Sequence, residues 1–182
     1  KQEGINLSYA KGCNILENEK LEKQTSPRNA VRWDKRPLED MIGEAVSIAR
    51  SSDVVVAAVG ETAFMSGESG SRTDIGLPGC QKKLLEALYA TGKPIVMVLF
   101  SGRPMTLAWE NKAMTSILET WFGGSEAAAA ITSVLFGEVN PSGKLTMSFP
   151  CSVGQIPVYY NMKKTGRDPY AKDSCRYSSN WI

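Results

Sequence analysis

The stretch DVVVAAVG (residues 53–60) decides the fold. It is a short, almost wholly apolar run rich in β-branched residues, which is the pattern of a strand covered on both faces in a parallel sheet. PIVMVLF (94–100) repeats the pattern, and SILETWF (116–122) supplies a third strand. Between these runs the apolar period changes to that of a helix. Over residues 36–52, Leu38, Met41, Ile42, Ala45, Val46 and Ala49 share one helical face, with Pro37 suited to the first turn. QKKLLEALYATGK (81–93) is a second amphipathic helix with Gly92 as its C-cap. A short helix follows at 105–112, and another at 125–136, capped by Ser125 and ended by Gly137.

INLSYA (5–10) alternates as a short strand, 14–35 is a polar loop, and KLTMSF (144–149) is a last strand after the turn NPSG. Strands alternating with helices predict βαβ units. The expected fold is therefore an α/β, three-layer α/β/α sandwich with a mainly parallel sheet of about five to six strands. It occupies residues 1–150, and 151–182 form an extended C-terminal arm with no helical or strand period.

Composition narrows the chemistry. The 182 residues are 42% apolar and 22% charged, ordinary for a globular domain. The net charge of +2, from 21 basic and 19 acidic residues, is spread without a basic block and argues against a nucleic-acid partner. No apolar run approaches the roughly 20 residues that span a bilayer, so no membrane partner is expected. The N-terminus is not a signal peptide, which leaves a cytosolic chain or the mature interior of a larger one. Cys13, Cys80, Cys151 and Cys175 form no CxxC pair and suggest neither a zinc ribbon nor a disulfide scaffold. There is no histidine. That excludes a Ser-His-Asp or Cys-His nucleophile system and removes the commonest zinc ligand. Catalysis must rest on carboxylates, lysine, tyrosine or an oxygen-held metal; no metal or cofactor is expected.

Ligands of open α/β sheets gather beyond the carboxyl ends of the strands. The loops there are 60–80, 101–104 (SGRP) and 123–125 (GGS), and only the first far exceeds the usual length of about 2–6 residues. It reads ETAFMSGESGSRTDIGLPG from residue 61 and carries Glu61 and Glu68. Glu68 lies between Gly67 and Ser69, where the backbone is free to project it; the plain alternative is a solvated surface residue. Glu61 sits at the strand end, where a carboxylate more often caps a helix or pairs with an arginine. Arg72 and Asp74 read as a structural pair that pins the loop's return. Arg103 reads as a ligand-orienting group or a surface salt bridge. No GxGxxG follows a strand and no GxxxxGK[ST] occurs, so nucleotide binding takes second place.

The sequence resembles the second domain of family-3 glycoside hydrolases of the β-glucosidase type, closest to the bacterial periplasmic branch. The likeness is carried in order by YAKGC (9–13), DVVVAAVGE (53–61), MSGESGSRTDIGLPG (65–79), ATGKPIVMVLFSGRP (90–104), ILETWFGGSEAAAAI (117–131), VLFGEVNPSGKLTMSFP (134–150) and SVGQIPVYYNMKKTGR (152–167). It implies that an (α/β)8-like barrel elsewhere supplies an aspartate nucleophile, and that a loop of this domain reaches over with a glutamate general acid/base. MSGESGSRTD selects Glu68 for that role. Relatives with a GE pair at the strand end make Glu61 the second choice. Ser66, Arg72 and Asp74 are then loop-shaping or substrate-binding residues. Where relatives often have histidine before the glutamate, this chain has Gly67.

Retaining glycosidases need two carboxyl groups about 5–5.5 Å apart, one attacking and one protonating the leaving oxygen. Such an acid keeps its proton through partial burial and the neighbouring carboxylate's charge. Both arise when a barrel face closes over the loop, which accounts for its length. The resemblance further implies a β-glucoside substrate, a periplasmic or secreted location, and a sandwich that usually begins with one more apolar strand. A fragment without the barrel of about 250 residues is expected to be inactive alone, and an unpaired sheet edge invites self-association. The rival is a non-catalytic nucleotide- or sugar-binding module.

Overall fold

A computed structural model describes residues 4–26 and 32–161. The elements are α1 (Glu19–Thr25), α2 (Leu38–Arg50), β1 (Val55–Gly60), α3 (Gln81–Tyr89), β2 (Ile95–Phe100), α4 (Glu110–Ala113), β3 (Ser116–Glu119) and α5 (Ala127–Leu135), with single 3₁₀ turns at Ala63–Met65 and Val153–Gln155. The strands form one parallel sheet in the order β1-β2-β3. Val55 faces Ile95 and Gly60 faces Phe100; Val96 faces Ser116 and Leu99 faces Glu119.

Register sorts the side chains. Ala57 and Val59 share a face with Ile95, Met97 and Leu99, and this face is closed by Ala45 and Ala49 of α2 and by Leu84, Leu85 and Leu88 of α3. Leu85, Met97 and Leu99 are fully buried, each contributing on the order of 2–3 kcal/mol. Met105, Leu107 and Met114 extend this core below the α4 connection. Cys13 joins it, and burial pushes its thiol up to about 12. Gly92 takes the left-handed conformation expected of it just past α3, donating to the Tyr89 carbonyl.

Several expectations are corrected. The described residues hold three strands rather than about five to six. INLSYA forms none of them: its alternation is real, but no strand edge pairs with it, and Leu7 and Tyr9 are exposed. KLTMSF likewise lacks a partner, leaving Leu145 and Met147 more than half exposed. A strand needs a neighbour's backbone as much as an apolar pattern. β1 is not covered on both faces, since Val56 and Ala58 are exposed opposite the core, and α5 buries none of its residues. The second helical layer of the sandwich is thus not closed over β1.

Within the expected 14–35 loop, residues 19–25 are helical. Their sequence EKLEKQT has no apolar stripe to reveal them. The helix rests on the Asn18 side chain, which accepts from the Leu21 N–H at 3.1 Å, on a Glu19–Lys23 pair, and on buried Glu22, which accepts from the Leu16 N–H at 2.8 Å. The expected 105–112 helix shortens to Glu110–Ala113. Ser125 does not cap α5: Glu126 holds the cap position with no side-chain bond, and a backbone turn from the Ala127 N–H to the Gly124 carbonyl starts the helix. Gly137 ends it as expected, with φ +74°. Cys13 and Cys80 are free thiols. Cys175 and the arm from residue 162 onward lie outside the described residues.

Candidate active-site loop

The loop leaves β1 at its carboxyl end, where the Glu61 N–H still donates to the Phe100 carbonyl at 2.8 Å. That last ladder bond turns the Glu61 side chain inward, and it is completely buried. A buried carboxylate needs opposite charge and donors, and two arginines supply them. Arg72 Nη1 lies 2.7 Å from Oε1, Arg103 Nε 3.2 Å from the same oxygen, and the Gly102 N–H points at Oε2 from 3.4 Å.

The arginines also hold the loop. Arg72 Nη2 donates to the Gly76 carbonyl at 2.9 Å, while Asp74 Oδ1 accepts from the Gly76 N–H at 2.8 Å. The expected Arg72–Asp74 pair is therefore corrected: both residues fix the return of the loop, but through Gly76 and Glu61 rather than each other, because the buried Glu61 charge is the stronger claim on the guanidinium. Arg103 is no surface salt bridge. Its Nη2 donates to the Met65 carbonyl and, at 3.3 Å, to that of Gly70.

Between those two carbonyls the chain makes a tight turn, closed by the Gly70 N–H donating to the Gly67 carbonyl at 3.0 Å, with Ser69 at φ +62°. Glu68 occupies the second position of this turn. It is exposed, and among the described residues its carboxylate has no ion pair or hydrogen bond. Ser66 lies against Gly102, where a Cβ would overlap both its Oγ and its Cβ, so only glycine lets the loop descend onto SGRP. Gly79 plays a similar part at the loop's end, in the left-handed region with its missing Cβ directed at the Ile15 carbonyl. So the sequence-nominated residues divide. Glu61, Arg72 and Asp74 belong to one fixed network, Ser66 to the descent, and Glu68 alone is exposed without a side-chain partner among the described residues.

Two contributors, Gln81 and Glu119, were not singled out by the sequence, and a third, Arg103, was named there without its place in the network. Gln81, at the start of α3, accepts from the Gly60 N–H at 2.6 Å and donates to the Gly60 carbonyl at 2.8 Å, tying the loop's two roots together. A lone glutamine opening a helix gives no signal for that. Arg103 showed its charge but not its burial. Glu119, at the carboxyl end of β3, accepts from the Trp121 N–H at 2.8 Å and lies 3.3 Å from the Ser101 hydroxyl. Burial is the main cause that raises its pKa, with the Glu61 charge adding to it and both hydrogen bonds opposing. A cavity of about 190 Å³ opens on the other side of the β1 end, beside Lys11, Cys13, Gly60, Glu61, Gln81 and Leu84; Glu68 does not line it. Among the described residues no group of three or more acidic or cysteine side chains converges as a metal site.

An exposed carboxylate on a clamped turn at the ligand edge of a parallel sheet can be compared with known proteins. The family model "Glycosyl hydrolase family 3 C-terminal domain" matches residues 4–179. A periplasmic beta-glucosidase of Salmonella typhimurium is 48% identical over 181 residues, which is 99% of this chain and 24% of that protein. A beta-xylosidase of Formosa agariphila is 44% identical over 158 residues, covering 87% of this chain and 19% of that protein. The crystal structure of a beta-glucosidase from Listeria innocua in complex with gluconolactone superposes with a TM-score of 0.73 at 40% identity, over 84% of this chain and 21% of its own. The chain spans less than a quarter of the length of these relatives. Sequence and fold agree along nearly its whole extent, and the chain belongs to the glycosyl hydrolase family 3 C-terminal domain family.

Proposed function

We propose that this chain is the proton-donor domain of a retaining β-glucosidase, with Glu68 as general acid/base and the nucleophile supplied by a barrel domain of the same parent protein. The observation that carries this reading is the contrast between two glutamates in one loop. Glu61 is saturated by two arginines and sealed from any substrate, whereas Glu68 is held out on a turn with its carboxyl uncommitted. A proton donor must reach the glycosidic oxygen, and of the two glutamates only Glu68 can reach anything outside its own domain. In the first step it would protonate that oxygen as the nucleophile's carboxylate attacks the anomeric carbon. In the second it would take a proton from the water that releases the sugar. Export to the periplasm belongs to the same proposal and rests on the Salmonella relative's name.

The test is Glu68→Gln in the parent protein. Its kcat/KM on phenyl β-glucoside is expected to fall by about 10²–10⁴-fold, and added azide is expected to yield β-glucosyl azide by attacking in place of base-activated water. The 182-residue chain alone is expected to hydrolyse no aryl glucoside. Full activity in Glu68→Gln, or turnover by the chain alone, sinks the proposal.

A further inference from the structure

We propose that Arg103 is a positioning residue for the Glu68 proton donor, a role that rests on the acid/base reading above. Glu68 has no side-chain partner among the described residues, so the direction of its carboxyl is set by the backbone that carries it. That backbone is a turn from Gly67 to Gly70, and a single guanidinium binds on both sides of it. Arg103 Nη2 takes the Met65 carbonyl ahead of the turn and the Gly70 carbonyl at its close.

The guanidinium is itself fixed. Its Nε is held by the completely buried Glu61 carboxylate, its side chain is only 19% exposed, and the adjacent Gly102 admits Ser66 to the same spot. A planar cation with several donors in a rigid fork suits this task; a lysine ammonium could satisfy one of these acceptors well but not all three together. Arg72 shares Glu61 but reaches Gly76, beyond the turn, so it secures the loop's return and not the donor.

Neutralising the buried Glu61 charge is a role Arg103 would fill in any case, and it must be told apart from positioning. Loss of charge balance weakens the fold and lowers activity on every substrate alike. A displaced proton donor acts selectively. A leaving group such as 2,4-dinitrophenolate departs without a proton, whereas phenolate and alkoxides need one as the C–O bond breaks. Misplacement of a catalytic group by about 1 Å costs on the order of 10²-fold, and here that cost should fall on poor leaving groups only.

The experiment uses the parent protein and its Arg103→Ala, Arg103→Lys and Glu68→Gln variants. The measured quantity is kcat/KM, which reports the glycosylation step, across aryl β-glucosides from 2,4-dinitrophenyl to phenyl. Arg103→Ala is expected to lose about 10–10²-fold on the phenyl substrate and less than about threefold on the dinitrophenyl one, with Arg103→Lys between it and the parent. Turnover of the dinitrophenyl substrate confirms a folded site in each variant. Equal proportional losses along the series in both Arg103 variants, or no loss, overturn the proposal. If Glu68→Gln itself shows no dependence on the leaving group, the acid/base reading fails instead, and the two failures are distinguishable.

Discussion

The loop 61–79 and the stretch 126–149 both follow the carboxyl end of a parallel strand, and they are held in opposite ways. The first is polar and glycine-rich, yet it is fixed by a buried carboxylate, two arginines and the close approach of Ser66 to Gly102. The second is the more apolar, with AAAAITSVL forming α5, yet α5 buries nothing and Leu145 and Met147 stand more than half exposed. Order along this edge therefore tracks partners already in place, not apolar content. Desolvated charge pairs hold the loop, whereas the apolar stretch reaches the core through its last residue, Phe149, which packs beside Trp121.

Breaking the Glu61 hub should have the largest effect. Glu61→Ala strands two largely buried guanidinium groups, and removing one partner from such a network costs about 3–5 kcal/mol. Leu145→Ala removes more apolar surface but from an exposed site, and should change stability by less than about 0.5 kcal/mol. Urea denaturation of both variants measures the contrast. Similar losses would show that the apolar stretch is held as firmly as the loop.

A smaller effect is expected from one methyl group. In Gly102→Ala the new Cβ overlaps Ser66 and meets the Phe122 ring; overpacking of this kind costs about 1–3 kcal/mol. The displaced loop should also be cut faster by protease within residues 62–78. Gly124→Ala, just ahead of the second region, finds nothing within 4 Å and should leave both the denaturation midpoint and the cleavage pattern unchanged. Unaltered proteolysis in Gly102→Ala would mean that the loop does not depend on this descent.

The same contrast explains what the sequence discloses. β1, β2, β3, α2 and α3 were legible because each carries its own period and finds its partner nearby in the chain. The strands expected at 5–10 and 144–149 have the period without the neighbour, and pattern alone does not supply hydrogen bonds. α1 was hidden for the converse reason, being held by the Asn18 cap, one ion pair and the buried Glu22 carboxylate instead of an apolar stripe. At the site, Glu68 could be singled out from its glycine-flanked place in an overlong loop. The burial of Glu61 could not, since it depends on where Arg72 and Arg103 arrive from, 11 and 42 residues away. Gln81 and Glu119 act through contacts made only after folding.

Glu119 stands where the two regions meet and gives the subtlest test. Burial raises its pKa above the ordinary carboxylate value, and the Glu61 charge adds to that. The folded state thus favours the protonated form. Below the unfolded-state pKa, about 4.3, both states carry the proton and nothing is lost. As pH climbs through the raised folded value, the unfolded chain has already released its proton while the fold still resists, so stability declines and then levels off. Glu119→Gln keeps an oxygen for the Trp121 N–H and removes the titration. Glu119 is only partly buried, so solvent screens the effect, and the variant should gain under about 1 kcal/mol at pH 8 relative to pH 4 when compared with the parent. Denaturation midpoints at the two pH values measure it. Parallel pH dependence in both proteins would mean that neither burial nor the Glu61 charge raises the Glu119 pKa, and that the carboxyl is as well solvated in the fold as in the unfolded chain.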